Sequence, residues 1–143
     1  MKQKELDNYY MKVADICAKN SKAKRLNVGA ILVKNQQIIS DGFNGTPNGF
    51  ENDCEIESTD SDGNKILVTK PYVLHAESNC LMKSLRHGIS TVGSTIYVTH
   101  APCVECSKLI IQAGVERVVY HEPYKSEDGL NILKKAKLKV EQF

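Results

Sequence analysis

From residue 75 onward the chain alternates helix and strand, and this order more than any other feature limits what it can fold into. "HAESNCLMKSLRHG" (75–88) reads as a helix with Leu81, Met82 and Leu85 available for packing and Gly88 placed to end it. "TIYVT" (95–99) is a β-rich run, and 103–113 is a helix closed by Gly114. "ERVVY" (116–120) gives a second strand, and "SEDGLNILKKA" (126–136) with "LKVEQF" (138–143) a last helix and strand. This βαβ order predicts a partly parallel sheet with helices packed on it, an α/β architecture.

The first half has a different grammar. Leu6, Tyr9, Tyr10, Val13, Ile16 and Cys17 recur at helical spacing, so the first twenty residues read as an amphipathic helix with Cys17 as a core thiol. "VGAILV" (28–33) and "QIIS" (37–40) are short β-rich runs joined by "KNQ", which predicts a hairpin. "DGFNGTPNGF" (41–50) holds three glycines, two asparagines and a proline, and reads as a loop shaped so that a ligand can approach its backbone. Residues 51–70 read as a flexible, polar excursion, most acidic over 51–65, with a mobile flap as the default.

At 143 residues and 41% hydrophobic content, a single domain spanning 1–143 is expected. No apolar run approaches the roughly 18 residues of a membrane span, so no membrane partner is expected. Five irregularly spaced cysteines argue for reduced thiols or metal ligation over a disulfide framework, and hence for a cytoplasmic setting. The net charge is only +2, and outside "SKAKR" (21–25) and "KKAKLK" (134–139) the basic residues are mixed with acids, which is poor support for a nucleic-acid partner.

Cys103 and Cys106, at i and i+3 in the first turn of a helix, project to one side and can grip one metal ion. His75, at another helix start, is the best candidate for a third ligand, and Glu77 follows two residues later. Three ligands leave a position for water, the pattern of a catalytic zinc site, with Glu77 placed to manage protons. Alone, the cysteine pair would equally suit a redox or structural site. His87, His100 and His121 read as ordinary histidines, and Cys80 as a packed thiol.

The H-x-E and P-C-x-x-C pair is the signature of zinc nucleobase deaminases. "VGAILV", "DGFNGTPNGF", "HAESN", "TIYVTHAPCVEC" and "LIIQAGVERVVY" together resemble the deoxycytidylate deaminases, over roughly residues 21–124. The resemblance implies a three-layer α-β-α cytidine-deaminase-like fold with a central mixed five-stranded sheet, one catalytic Zn2+ held by His75, Cys103 and Cys106, and Glu77 as catalytic acid and base. It also implies hydrolysis of dCMP to dUMP and ammonia, supplying dUMP for thymidylate synthesis. Asn44 would hold the sugar, Ala76 the base, and Arg25, Ser21 and Tyr124 would complete the substrate site. Asn79 in "HAESN", with "FNGTPNG", points to a nucleotide substrate within the superfamily. Many such enzymes are hexamers activated by dCTP and inhibited by dTTP, with Mg2+ accompanying the triphosphate. Gly42, Phe43, Asn44, Gly45 and Arg86 would be the matching effector residues here. Cys54 matches one ligand of the second zinc found in some relatives, but the segment just before the first strand reads "SKAKR", without a cysteine, so Cys54 reads as a loop thiol. A deaminase acting on a base in RNA or single-stranded DNA, and a non-catalytic zinc-binding module, stay open as alternatives.

Overall fold

A computed structural model describes residues 2–143. The elements run α1 (Gln3–Ala18), β1 (Gly29–Lys34), β2 (Gln37–Phe43), β3 (Glu55–Thr59), β4 (Lys65–Thr69), α2 (Ala76–Arg86), β5 (Thr95–His100), α3 (Val104–Gln112), β6 (Arg117–Glu122), α4 (Asp128–Lys135) and β7 (Lys139–Gln142). Five strands form one mixed sheet in the order β2-β1-β5-β6-β7. β1 is antiparallel to β2 and β5, whereas β5, β6 and β7 run parallel, as the alternation of helix and strand predicts.

Alternation along the inner strands separates the two cores. Ile31, Val33, Tyr97 and Val119 pack under α1 with Leu6, Tyr10, Met11 and Ala14. Ala30, Leu32, Ile96, Val98 and Val118 face the other way, onto a cluster with Leu81 of α2, Ile110 of α3 and Leu130 and Leu133 of α4. The fold is therefore the expected three-layer α-β-α arrangement. Strands buried on both faces read as continuous apolar runs, which is why "VGAILV" shows no polar alternation. Asn35 and Gln36 turn the β1–β2 hairpin with φ of 51° and 58°, the double left-handed geometry whose twist matches the strands.

Several local expectations are corrected. The buried face of α1 is Leu6, Asp7, Tyr10, Met11, Ala14, Cys17 and Ala18; Tyr9 and Ile16 are exposed. The helix is rotated so that Asp7 reaches Tyr97 and Arg117 on the sheet face it covers. In α2 only Leu81 of the three expected packing residues is buried, because the inward face is Ala76, Glu77, Cys80, Leu81 and Ser84, leaving Met82 and Leu85 exposed. Small residues face inward there because α2 lies almost on the backbone of β2. A Cβ on Gly42 would stand 2.5 Å from Cys80 N and 2.6 Å from Ala76 O. Gly42 is thus in a strand, required by helix packing, and the loop begins only at residue 44. Gly29 does the same for α1, where a Cβ would lie 2.1 Å from Ala14 O.

The polar excursion at 51–70 contains a regular two-stranded antiparallel ribbon, β3 with β4, in register from Glu55↔Thr69 to Thr59↔Lys65. Its turn is built on Asp60, whose Oδ1 accepts the N–H groups of Asp62 and Asn64, both at 2.9 Å. Cys54 is a loop thiol just before β3, and it is buried. No helix among the described residues is long and apolar enough to cross a membrane.

Candidate active site

His75 and Cys103 occupy equivalent positions in two helices. Each is an N-cap with extended backbone, at φ −78°, ψ 160° before α2 and φ −74°, ψ 173° before α3. Neither uses its side chain to cap its own helix. Both side chains are therefore free to turn outward, while first-turn N–H groups without intrahelical acceptors bring partial positive charge to the same spot. Cys106 joins them from one turn into α3. His75 Nδ1 lies 3.5 Å from Cys103 Sγ and 3.4 Å from Cys106 Sγ, and the three potential ligand atoms lie within 4.8 Å of one another.

These separations suit zinc. Tetrahedral bonds of about 2.3 Å to sulfur and about 2.05 Å to nitrogen place such atoms about 3.6 Å apart. The protons are already unevenly shared: hydrogen bonds from Cys106 and then His75 lower the Cys103 thiol to about 3, and the hydrogen bond to Cys103 raises His75. Cys106 is pushed up by the neighbouring Cys103 sulfur and by burial. A bound dication would replace that proton and favour both thiolates.

Glu77 is almost fully buried, 4% exposed, on the inward face of α2. Burial raises its carboxyl to about 7, against opposing effects from its own backbone hydrogen bond and His75. Such a group can both take and give a proton near neutral pH.

The cluster opens into a cleft of about 610 Å³ at the carboxyl ends of β5 and β6, lined by residues including Arg25, Asn44, His75, Ala76, Glu77, Cys103 and Tyr124. Asn44 uses its amide to shape this wall: Oδ1 accepts Val28 N–H at 2.9 Å and Nδ2 donates to Leu26 O at 2.7 Å, leaving one amide hydrogen uncommitted. Arg25 Nη1 donates to Thr69 Oγ1 at 3.1 Å. Lys125 Nζ stands 5.7 Å from the centroid of the Tyr124 ring.

Ser21 does not line the cleft. Its hydroxyl donates to Asn44 O at 2.8 Å and accepts Ala23 N–H at 3.2 Å, which makes it a support for the Asn44 loop. The residues singled out for an effector divide between two places. Gly42, Phe43, Gly45 and Arg86 border a separate cavity of about 520 Å³, with Asn79, Lys83 and His87, whereas Asn44 belongs to the first cleft. Asn79 likewise lines the second cavity and not the first cleft, and its Nδ2 donates to Phe43 O at 2.8 Å.

Glu55, Thr69, His100 and Lys125 also line the first cleft, and none was singled out from sequence. For His100 a signal existed: it ends β5 just before Pro102 and Cys103, and ligands of open α/β sheets gather at the carboxyl ends of strands. Its Nδ1 lies 3.2 Å from Thr99 Oγ1, and burial lowers its pKa.

Residues 4–122 match the family described as cytidine and deoxycytidylate deaminase zinc-binding region. The chain is 44% identical to the dCMP deaminase of the cyanophage S-TIM5, whose crystal structure holds dCMP and dUMP; the two superpose with a TM-score of 0.88 over 100% of this chain and 99% of that one. It is 34% identical over 142 residues to the deoxycytidylate deaminase of Saccharomyces cerevisiae, covering 96% of this chain but 44% of the yeast protein. Against human deoxycytidylate deaminase it is 38% identical over 117 residues, covering 81% of this chain and 64% of the human one.

Proposed function

The chain belongs to the cytidine and deoxycytidylate deaminase family, and from that premise we propose that it hydrolyses dCMP to dUMP and ammonia. The observation that carries the reading is the convergence of His75 Nδ1 with the Cys103 and Cys106 sulfurs at 3.5 and 3.4 Å beside the buried Glu77. The dCMP and dUMP held by the phage enzyme support the choice of substrate.

His75, Cys103 and Cys106 would hold zinc, which when bound supplies a Lewis acid that makes water nucleophilic near neutral pH. Hydrolysis forms a C4–O bond from water and breaks the C4–N bond to the amino group. Glu77 takes one proton from the water and places it on N3 of the pyrimidine. It then carries the remaining hydroxyl proton to the departing nitrogen, so that ammonia leaves and C4 becomes a carbonyl. Backbone amides at Ala76 and Cys103 orient the base, the free amide hydrogen of Asn44 meets the sugar, and Arg25 meets the 5′-phosphate, with Tyr124 on the cleft wall.

Purified protein is expected to contain one zinc per chain by elemental analysis and to release ammonia from dCMP far faster than from deoxycytidine or a cytosine-containing oligonucleotide. A preference for the oligonucleotide would move the assignment to a nucleic-acid base, and zinc without turnover of any of the three would leave a binding module.

Regulation fits the second cavity. Lys83, Arg86 and His87 line it together with Gly42, Phe43 and Gly45, a setting for a triphosphate with Mg2+. dCTP would activate and dTTP inhibit there, in a hexamer whose subunits cover the exposed Met82 and Leu85, within a cytoplasmic supply of dUMP for thymidylate synthesis. The velocity curve against dCMP is expected to be sigmoidal alone and near hyperbolic with dCTP. Hyperbolic kinetics indifferent to both triphosphates would remove the regulatory assignment.

A further inference from the structure

Arg25 is held at two points by one rung of the β3–β4 ribbon. Its backbone N–H donates to Glu55 Oε2 at 3.0 Å, and its Nη1 donates to Thr69 Oγ1 at 3.1 Å. Glu55 and Thr69 are register partners across the ribbon, at the end where Lys70 N–H donates to Cys54 O at 2.8 Å. Glu55 is 5% exposed and also takes Lys24 N–H on both oxygens, at 3.1 and 2.9 Å.

Two successive amides directed at one anionic group make an anion nest, and here an internal carboxylate fills it. The backbone of this wall is therefore already satisfied, and the guanidinium of Arg25 remains to meet an external anion. Arg25, Glu55 and Thr69 all line the cleft that holds His75 and Glu77. Of the five N–H donors of a guanidinium, the bond to Thr69 uses one and fixes the plane of the rest.

We propose that the base of the ribbon is the phosphate-selecting element of the site: Glu55 and Thr69 are positioning residues that hold Arg25 against the cleft and so set the preference for a deoxynucleotide over its nucleoside. A free arginine must surrender rotamer freedom at each binding event, whereas one held at backbone and headgroup has already done so. The assignment rests on the dCMP reading above.

The test is steady-state kinetics with dCMP and with deoxycytidine. Thr69→Val removes the hydroxyl acceptor at nearly constant shape, and Thr69→Ser keeps it. Thr69→Val is expected to raise KM for dCMP about five- to tenfold with kcat changed less than about twofold, the effect of loosening one charge-assisted contact. The ratio of kcat/KM for dCMP over deoxycytidine falls by the same factor, and Thr69→Ser restores it. Glu55→Ala, which releases both amides, lowers that ratio by about tenfold or more. Thermal unfolding of Thr69→Val, expected within a few degrees of wild type, separates positioning from misfolding. Wild-type turnover of dCMP with an unmoved ratio in both Thr69→Val and Glu55→Ala, or parallel losses on the two substrates, overturns this assignment alone. A wild-type protein inactive on dCMP overturns the functional reading and this assignment together.

Discussion

Glu77→Gln is expected to lower dCMP turnover on the order of 10²- to 10⁴-fold, the range a positioned acid–base group contributes, while the purified variant still holds one zinc per chain. Glutamine keeps the shape of the side chain and fits the same buried place on α2. It cannot take a proton from water or return one to the leaving nitrogen. The expected ligands are His75 Nδ1 and the two cysteine sulfurs, and Glu77 is not one of that group. Metal content and proton transfer should therefore separate: Cys106→Ser would lose both, and Glu77→Gln turnover alone. Elemental analysis beside a single-turnover ammonia assay makes the distinction. Residual activity above a tenth of wild type, or loss of zinc from Glu77→Gln, would reject the role given to this residue.

The residues of that cluster were legible because their spacing is local. Two cysteines one turn apart, and a glutamate two residues after a histidine, announce themselves within single helices. The walls of the cleft were not, because they come from separate elements that only the topology brings together. Glu55 and Thr69 belong to opposite strands of a ribbon with little burial of its own, so its strands carry no amphipathic alternation: every residue of β4 is exposed. The second half of the fold was readable from turn chemistry, with Gly88 and Gly114 at φ of 68° and 78° ending two helices where expected. Helix faces were less so. The period of α1 was correct, but its rotation is decided by a buried carboxylate that periodicity counts as polar and assigns to solvent.

That carboxylate, Asp7, carries the largest expected effect on stability. Arg117 grips it with both terminal nitrogens, at 2.8 Å to Oδ1 and 2.7 Å to Oδ2, and the Tyr97 hydroxyl and Gln3 amide donate to Oδ1 at 2.6 and 2.9 Å. Arg117 also binds Glu141 at 3.1 and 2.9 Å, so one guanidinium joins α1 to β6 and β7. Burial by itself would raise the Asp7 pKa, but the hydrogen bonds from Arg117, Tyr97 and Gln3 outweigh it and bring it to about 2, from 3.8. Asp7→Ala leaves the Tyr97 hydroxyl without its acceptor and the Arg117 guanidinium, only 13% exposed, with Glu141 alone. A loss of about 3 kcal/mol at pH 7 is expected, at the lower end of what breaking a buried pair costs because Glu141 remains. The acid response gives an independent signature. A folded-state pKa below the unfolded one contributes stability that is complete above about pH 4 and lost as pH falls through about 2, here about 2 kcal/mol. Urea unfolding at pH 7, 4 and 3 should therefore show the wild-type advantage over Asp7→Ala shrinking as the medium becomes more acidic. The network lies with α1 on the face of the sheet away from the cleft, so the folded variant should keep its zinc and its KM for dCMP. A destabilisation below about 1 kcal/mol, or an advantage constant over that pH range, would mean that Asp7 is held by its surroundings without holding them.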